Sequence, residues 1–250
     1  MLSLYKYALG PILLLQSHRL RKTALRLPEA AGPRAGCIDS VSPARPLRLL
    51  FVGDSSAAGV GVPSQEQALA IQASAFLSTQ LRRPVEWQLL AKSGVNTHQA
   101  LSLLRLSALQ PADVLITALG TNDVTSQRTG AQFLADYHAL VGQVRRLCGI
   151  HSVVVTGLPP LRILPAAPHP LRWYLGKYAA SLDKKLRDWV GTEACFRYVS
   201  LEWAAVPEAM ARDKFHPGPE QYRHWARMVA NSIAELLTLQ PAHAHSDRST

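Results

Sequence analysis

Residues 47–59 read Leu-Arg-Leu-Leu-Phe-Val-Gly-Asp-Ser-Ser-Ala-Ala-Gly. An apolar run of this length, closed by Gly, Asp and Ser, has the pattern of a strand buried on both faces. Strands of that kind belong to parallel sheets, whose crossover helices cover both sides. Ser55 then falls just past the carboxyl end of the first strand, in a turn that Gly53 allows to tighten. In an open parallel sheet, the loops at the carboxyl ends gather around the crevice where ligands bind.

Working outward, the same alternation repeats. Short apolar runs predict further strands over 85–91, 114–119, 152–158 and 196–201, and helical periodicity predicts helices over 64–81, 97–109, 131–148, 171–190 and 219–237. In the third of these helices, Phe133, Leu134, Tyr137, Leu140, Val141 and Val144 recur at spacings of three and four. Alternating strands and helices imply right-handed crossovers and a mostly parallel sheet covered on both faces. Residues 159–170 form a proline-rich loop, and no internal repeat is present.

The chain has 250 residues, 48% hydrophobic and 18% charged, which suits one substantial core. The pattern divides it into a basic, apolar segment over 1–28, an Ala/Gly/Pro/Ser linker over 29–46, a domain over 47–238 and a loose tail over 239–250. Half of the net charge of +10 lies before residue 47, where Lys6, Arg19, Arg21, Lys22, Arg26, Arg34 and Arg45 face only Glu29 and Asp39. No basic run with interleaved aromatics occurs elsewhere, which argues against a nucleic-acid partner and for an acidic surface such as lipid headgroups. Ala8 to Leu15 imitates the apolar core of a signal peptide. Gln16 to Lys22 then supplies neither a cleavage site nor enough apolar length to span a bilayer. Two readings of 1–28 stay open: a helix in peripheral contact with an anionic membrane, and a helix packed back on the domain. The compartment expected is cytoplasmic or peripherally membrane-associated.

Cys37, Cys148 and Cys195 have no CxxC spacing, and the histidines form no pairs of metal-site type, so neither a metal nor another cofactor is expected. Chemistry points instead to hydroxyl, imidazole and carboxylate. The third strand ends in Gly120-Thr121-Asn122-Asp123, beside the same crevice as Ser55. Before the last helix stands Asp213-Lys214-Phe215-His216-Pro217. A spacing of three lets the carboxylate reach Nδ1 of the imidazole and leaves Nε2 for a serine. A serine hydroxyl needs such a base, and the oxyanion it creates needs donors, which Asn122 and backbone N–H groups can supply. Ser56 is the rival hydroxyl. Asp54 and Asp123 are read as ordering their turns, and His98 as a solvated residue on the rim.

In order and spacing, Gly53-Asp54-Ser55, Ser93-Gly94, Gly120-Thr121-Asn122-Asp123 and Asp213-Lys214-Phe215-His216 resemble the sequence blocks of the SGNH (GDSL) hydrolases. The resemblance covers about residues 47–237. It implies a flavodoxin-like three-layer α/β/α fold with about five parallel strands, Ser55 as nucleophile, His216 as general base and then acid, and Asp213 as its orienter. It also implies an oxyanion hole built from the Ser55 N–H, the Gly94 N–H and the Asn122 amide. The expected substrate is a small-molecule or lipid ester, with the loop Pro159–Pro165, Trp173 and Tyr174 as apolar surface for an acyl chain. A thioester, an acetylated carbohydrate, or a ligand merely bound and not turned over are the alternatives.

Overall fold

The computed structural model describes residues 2–239. Six strands form one sheet: β1 (Ala35–Ile38), β2 (Leu47–Gly53), β3 (Val85–Ala91), β4 (Val114–Ala118), β5 (Ser152–Thr156) and β6 (Phe196–Val199). Their spatial order is β1-β3-β2-β4-β5-β6; every pairing is parallel except that of β1 with β3. The helices are α1 (Leu2–Ala8), α2 (Gly10–Thr23), α3 (Leu69–Leu81), α4 (Thr97–Leu106), α5 (Thr121–Thr125), α6 (Gly130–Cys148), α7 (Leu171–Val190) and α8 (Pro219–Leu239).

The period of two along β2 explains the layers. Leu50 and Val52 pack with residues of α4, α6 and α7 on one face, whereas Leu49 and Phe51 pack with α3 and α8 on the other. Because both faces are buried, the strand reads as a continuous apolar run. Capping boxes set two helix starts, Asn96 with Gln99 for α4 and Thr129 with Gln132 for α6; Gly149 at φ 71° ends the latter.

The fold is thus the expected mostly parallel α/β/α domain, with one strand more than the sequence predicts. β1 lies inside 29–46, the stretch read as a linker, and adds an antiparallel edge with Gly36 opposite Trp87. Four residues, one of them glycine, carry too little periodicity to stand out. Upstream of it Ala30 is buried, with its N–H donating to Ala58 O at 3.2 Å, so the stretch lies on the domain instead of leaving it. The tail expected over 239–250 lies, beyond Leu239, outside the described residues.

Residues 2–23 form a helical pair against α7. Leu13 is buried in the core, and Tyr5 meets Trp173 edge-on at 5.0 Å between centroids. Gln16 donates to His169 O at 2.8 Å and accepts from the Leu171 N–H at 3.1 Å. No helix among the described residues is long and apolar enough to cross a membrane.

Candidate active site

β2 delivers its chain end into a tight turn. Asp54 N–H donates to Ala118 O at 3.1 Å, and the Asp54 carboxylate accepts from the Ser56 N–H at 3.0 Å, so the residue beside Ser55 is tied on both sides. A Cβ on Gly53 would stand 2.3 Å from Ala57 Cβ and 2.8 Å from Ala118 O, which is why the strand must end in glycine. Beneath the turn, the Tyr222 hydroxyl lies 2.8 Å from the carbonyl oxygens of both Ser56 and Val60. Ser55 is left facing the loop that precedes α8.

On that loop, Asp213 Oδ1 accepts from the backbone N–H groups of Phe215 and His216, each at 3.0 Å. Its Oδ2 lies 2.5 Å from His216 Nδ1, and His216 Nε2 lies 2.8 Å from Ser55 Oγ. A neutral imidazole carrying its proton on Nδ1 satisfies both contacts and leaves Nε2 as acceptor. The Asp213 side chain is 3% exposed and that of His216 15%. Burial pushes the Asp213 carboxyl up, but the hydrogen bonds from His216 and Phe215 outweigh it and hold the group below its ordinary range. Ser56 makes no such contact; its N–H and carbonyl serve the turn.

Asn122 is the second residue of the short helix α5. Its amide donates to Val95 O at 3.0 Å and to Asp54 Oδ2 at 3.3 Å, tying the Gly94 loop to the serine turn. The second contact is long for an N–H···O bond. Gly94 has φ +83°, with open space where a Cβ would stand. Among the described residues, neither its N–H nor that of Ser55 is taken up by another group.

Asp123, fully buried, accepts from the Thr97 N–H at 3.0 Å and the Thr97 hydroxyl at 2.9 Å, and so orders the start of α4. His98 pairs with Asp136 at 3.2 Å and is exposed. Burial raises the carboxyls of Asp54 and Asp123 to about 6 each, against the opposing hydrogen bonds they accept. Two further residues were not legible in the sequence. Glu29 Oε1 accepts from the Ser93 N–H at 2.7 Å, next to Gly94. Gln65, fully buried, donates to Ala30 O and Ala58 O and fastens the 29–32 stretch to the serine turn. Glu29 reaches 64 residues along the chain and Gln65 reaches 35 to Ala30, so no local spacing reveals them.

A mostly apolar pocket flanks Ser55 and His216, lined by Asp54, Ser56, Phe215 and Pro217 together with Pro159, Pro160, Leu161, Ile163 and Leu164. Trp203, Met210 and Trp225 also line it. The proline-rich loop therefore supplies apolar lining as expected, whereas Trp173 and Tyr174 do not. Trp173 packs on Tyr5, and the Tyr174 hydroxyl donates to Gln127 at 2.5 Å.

A serine, histidine and aspartate in contact at the carboxyl edge of this sheet, with an asparagine and a glycine loop beside them, define an SGNH-type hydrolase fold. The family model for GDSL-like lipases and acylhydrolases matches residues 51–224, and the chain belongs to that family, a family of ester-bond hydrolases. A GDSL-like esterase of Mycobacterium tuberculosis is 26% identical over 204 residues, covering 77% of this chain; the chain spans 63% of that relative's length. The structure of TesA superposes with a TM-score of 0.60 at 20% identity, covering 76% of this chain and 99% of its own. A family 3 carbohydrate esterase of Clostridium thermocellum gives 0.58 at 16%, covering 79% and 100%. At these identities the two structures speak to the fold alone.

Proposed function

We propose that the chain hydrolyses carboxylic esters of apolar acyl groups through an acyl-enzyme on Ser55. The observation that carries this reading is the line Ser55 Oγ–His216–Asp213, with contacts of 2.8 and 2.5 Å. His216 Nε2 takes the hydroxyl proton as Ser55 Oγ attacks the acyl carbonyl. The unpartnered N–H groups of Ser55 and Gly94 serve in this reading as donors to the developing oxyanion, and Asn122 joins them by exchanging its long contact to Asp54. His216 then passes the proton to the departing alkoxide. Water, deprotonated by the same nitrogen, attacks the acyl-enzyme, and the collapsing intermediate returns the proton to Ser55 Oγ. Asp213 holds the ring and stabilises its cationic form. The apolar lining of Leu161, Ile163, Leu164 and Trp203 favours an acyl chain over a sugar in the adjoining pocket.

Turnover of p-nitrophenyl esters from acetyl to dodecanoyl tests the reading. Wild type is expected to prefer a chain longer than acetyl, and Ser55→Ala and His216→Ala to lose about three orders of magnitude or more in kcat. Retained activity in either variant removes the assignment. An optimum at acetyl turns the reading toward a deacetylase, and a folded wild type inert on every ester turns it toward a ligand-binding module.

A further inference from the structure

The helical pair at the N-terminus has a face that the fold leaves unused. Leu9, just before α2, and Leu13 and Leu20 within it pack on the core, while Gln16 meets the start of α7 and its preceding loop. Its other side carries Ile12 at 48% exposure and Leu14 and Leu15 at 69% each, beside Tyr7 of α1 at 82%. The same outer side continues into His18, Arg19, Arg21 and Lys22, all exposed.

The two chemistries are therefore segregated along the helix axis and not only around it. Apolar residues 11–15 precede basic residues 18–22 by seven positions, a rise of about 10 Å. A helix lying at a bilayer surface can therefore sink its apolar stretch at the interface while its basic stretch meets headgroup phosphates beside it. No acidic residue stands before Glu29, so nothing on the segment opposes an anionic surface. A second copy of the chain is a poorer occupant, because the segment carries only basic charges and offers its own copy no acidic side chain to pair with them.

We infer that α1 and α2 form a docking element for anionic lipid bilayers, with Tyr7, Ile12, Leu14 and Leu15 entering the interface and Arg19, Arg21 and Lys22 meeting the headgroups. Gln16 fixes this element to His169 and Leu171. Those residues close the loop whose Pro159, Pro160, Leu161, Ile163 and Leu164 line the pocket. One loop thus separates the seated helix from the pocket, which suits an ester delivered from a membrane. The docking element itself stands whether or not Ser55 is a nucleophile.

The test is co-sedimentation of the full chain, carrying Ser55→Ala so that no lipid is consumed, with two kinds of vesicle: phosphatidylglycerol mixed with phosphatidylcholine, and phosphatidylcholine alone. The expected result is partitioning at least about tenfold stronger onto the anionic vesicles, weakened by added salt. Leu14→Asp with Leu15→Asp should lower it about tenfold or more at unchanged circular dichroism, since both side chains are exposed. Arg19→Glu with Arg21→Glu should abolish the preference for phosphatidylglycerol. A full chain that stays in the supernatant, or a Leu14→Asp/Leu15→Asp variant that binds undiminished, overturns the inference. So does a solution dimer that this variant dissociates, which would make a second copy the occupant. Because binding is read without turnover, an inactive enzyme leaves the result intact.

Discussion

Asp123 carries a large part of the electrostatic cost of the site. Its Oδ2 accepts two hydrogen bonds from Thr97, while its Oδ1 is buried without a partner. Burial therefore dominates and raises the carboxyl to about 6, with Asp136 adding repulsion and Thr97 and Arg128 opposing. Between about pH 4 and 6 the unfolded chain has released this proton while the native chain still holds it. The native state binds more protons there, so this group's contribution to stability falls as pH rises. Asp123→Asn keeps an acceptor for Thr97 and removes the titration. Its stability relative to wild type is expected to rise by about 3 kcal/mol from pH 4 to pH 7, read by urea unfolding at each pH. A difference that stays flat across that range would mean the carboxyl is ionised at its ordinary pKa. Asp54 shifts in the same direction for the same first cause, and the Asp123 charge adds to that shift, so the difference also carries a smaller contribution from Asp54.

At the scale of elements, the junction from β2 into the serine turn is a tight joint beside the site. Gly53→Ala would place a methyl 2.3 Å from Ala57 Cβ and 2.8 Å from a backbone oxygen, neither of which can retreat without moving β4 or the turn. We expect a loss of about 2–3 kcal/mol in thermal or urea unfolding, with ester turnover falling further than stability because Ser55 is displaced from His216. Unchanged activity would show that the turn absorbs the methyl. Such joints also decide what a sequence discloses. The five parallel strands were legible because burial on two faces writes itself as apolar runs, and Ser55, Asn122, Asp213 and His216 because each ends a strand or precedes a helix. β1 was not, since a four-residue edge strand with Gly36 at its centre has one neighbour and little pattern. Glu29 and Gln65 were hidden for a related reason: their partners, Ser93 and the Ala30 and Ala58 carbonyls, are chosen by tertiary proximity.

On the scale of the whole molecule, the two N-terminal stretches divide differently from the way composition divides them. Residues 2–23 touch the domain through Leu9, Leu13 and Leu20, which pack on its core, and through Tyr5 and Gln16, which meet α7 and its preceding loop. Residues 29–38 are woven into the site and the sheet: Glu29 holds the Ser93–Gly94 turn, Ala30 fills the space beside Gly59, and β1 covers the edge of β3. Removal of 2–23 should therefore cost about 3–6 kcal/mol, the burial of Leu13 with the partly buried Leu9 and Leu20, and leave turnover of a soluble ester within about threefold. Extending the deletion to residue 38 frees the Ser93 N–H from its carboxylate and bares the N–H and C=O groups of β3. That chain is expected to lose most of its turnover and to aggregate on standing. Comparing the two truncations by circular dichroism and ester hydrolysis separates the roles. If the shorter deletion already abolishes turnover of a soluble ester, α1 and α2 support the catalytic loops directly, and their contact with α7 carries more of the site's geometry than its few anchoring residues suggest.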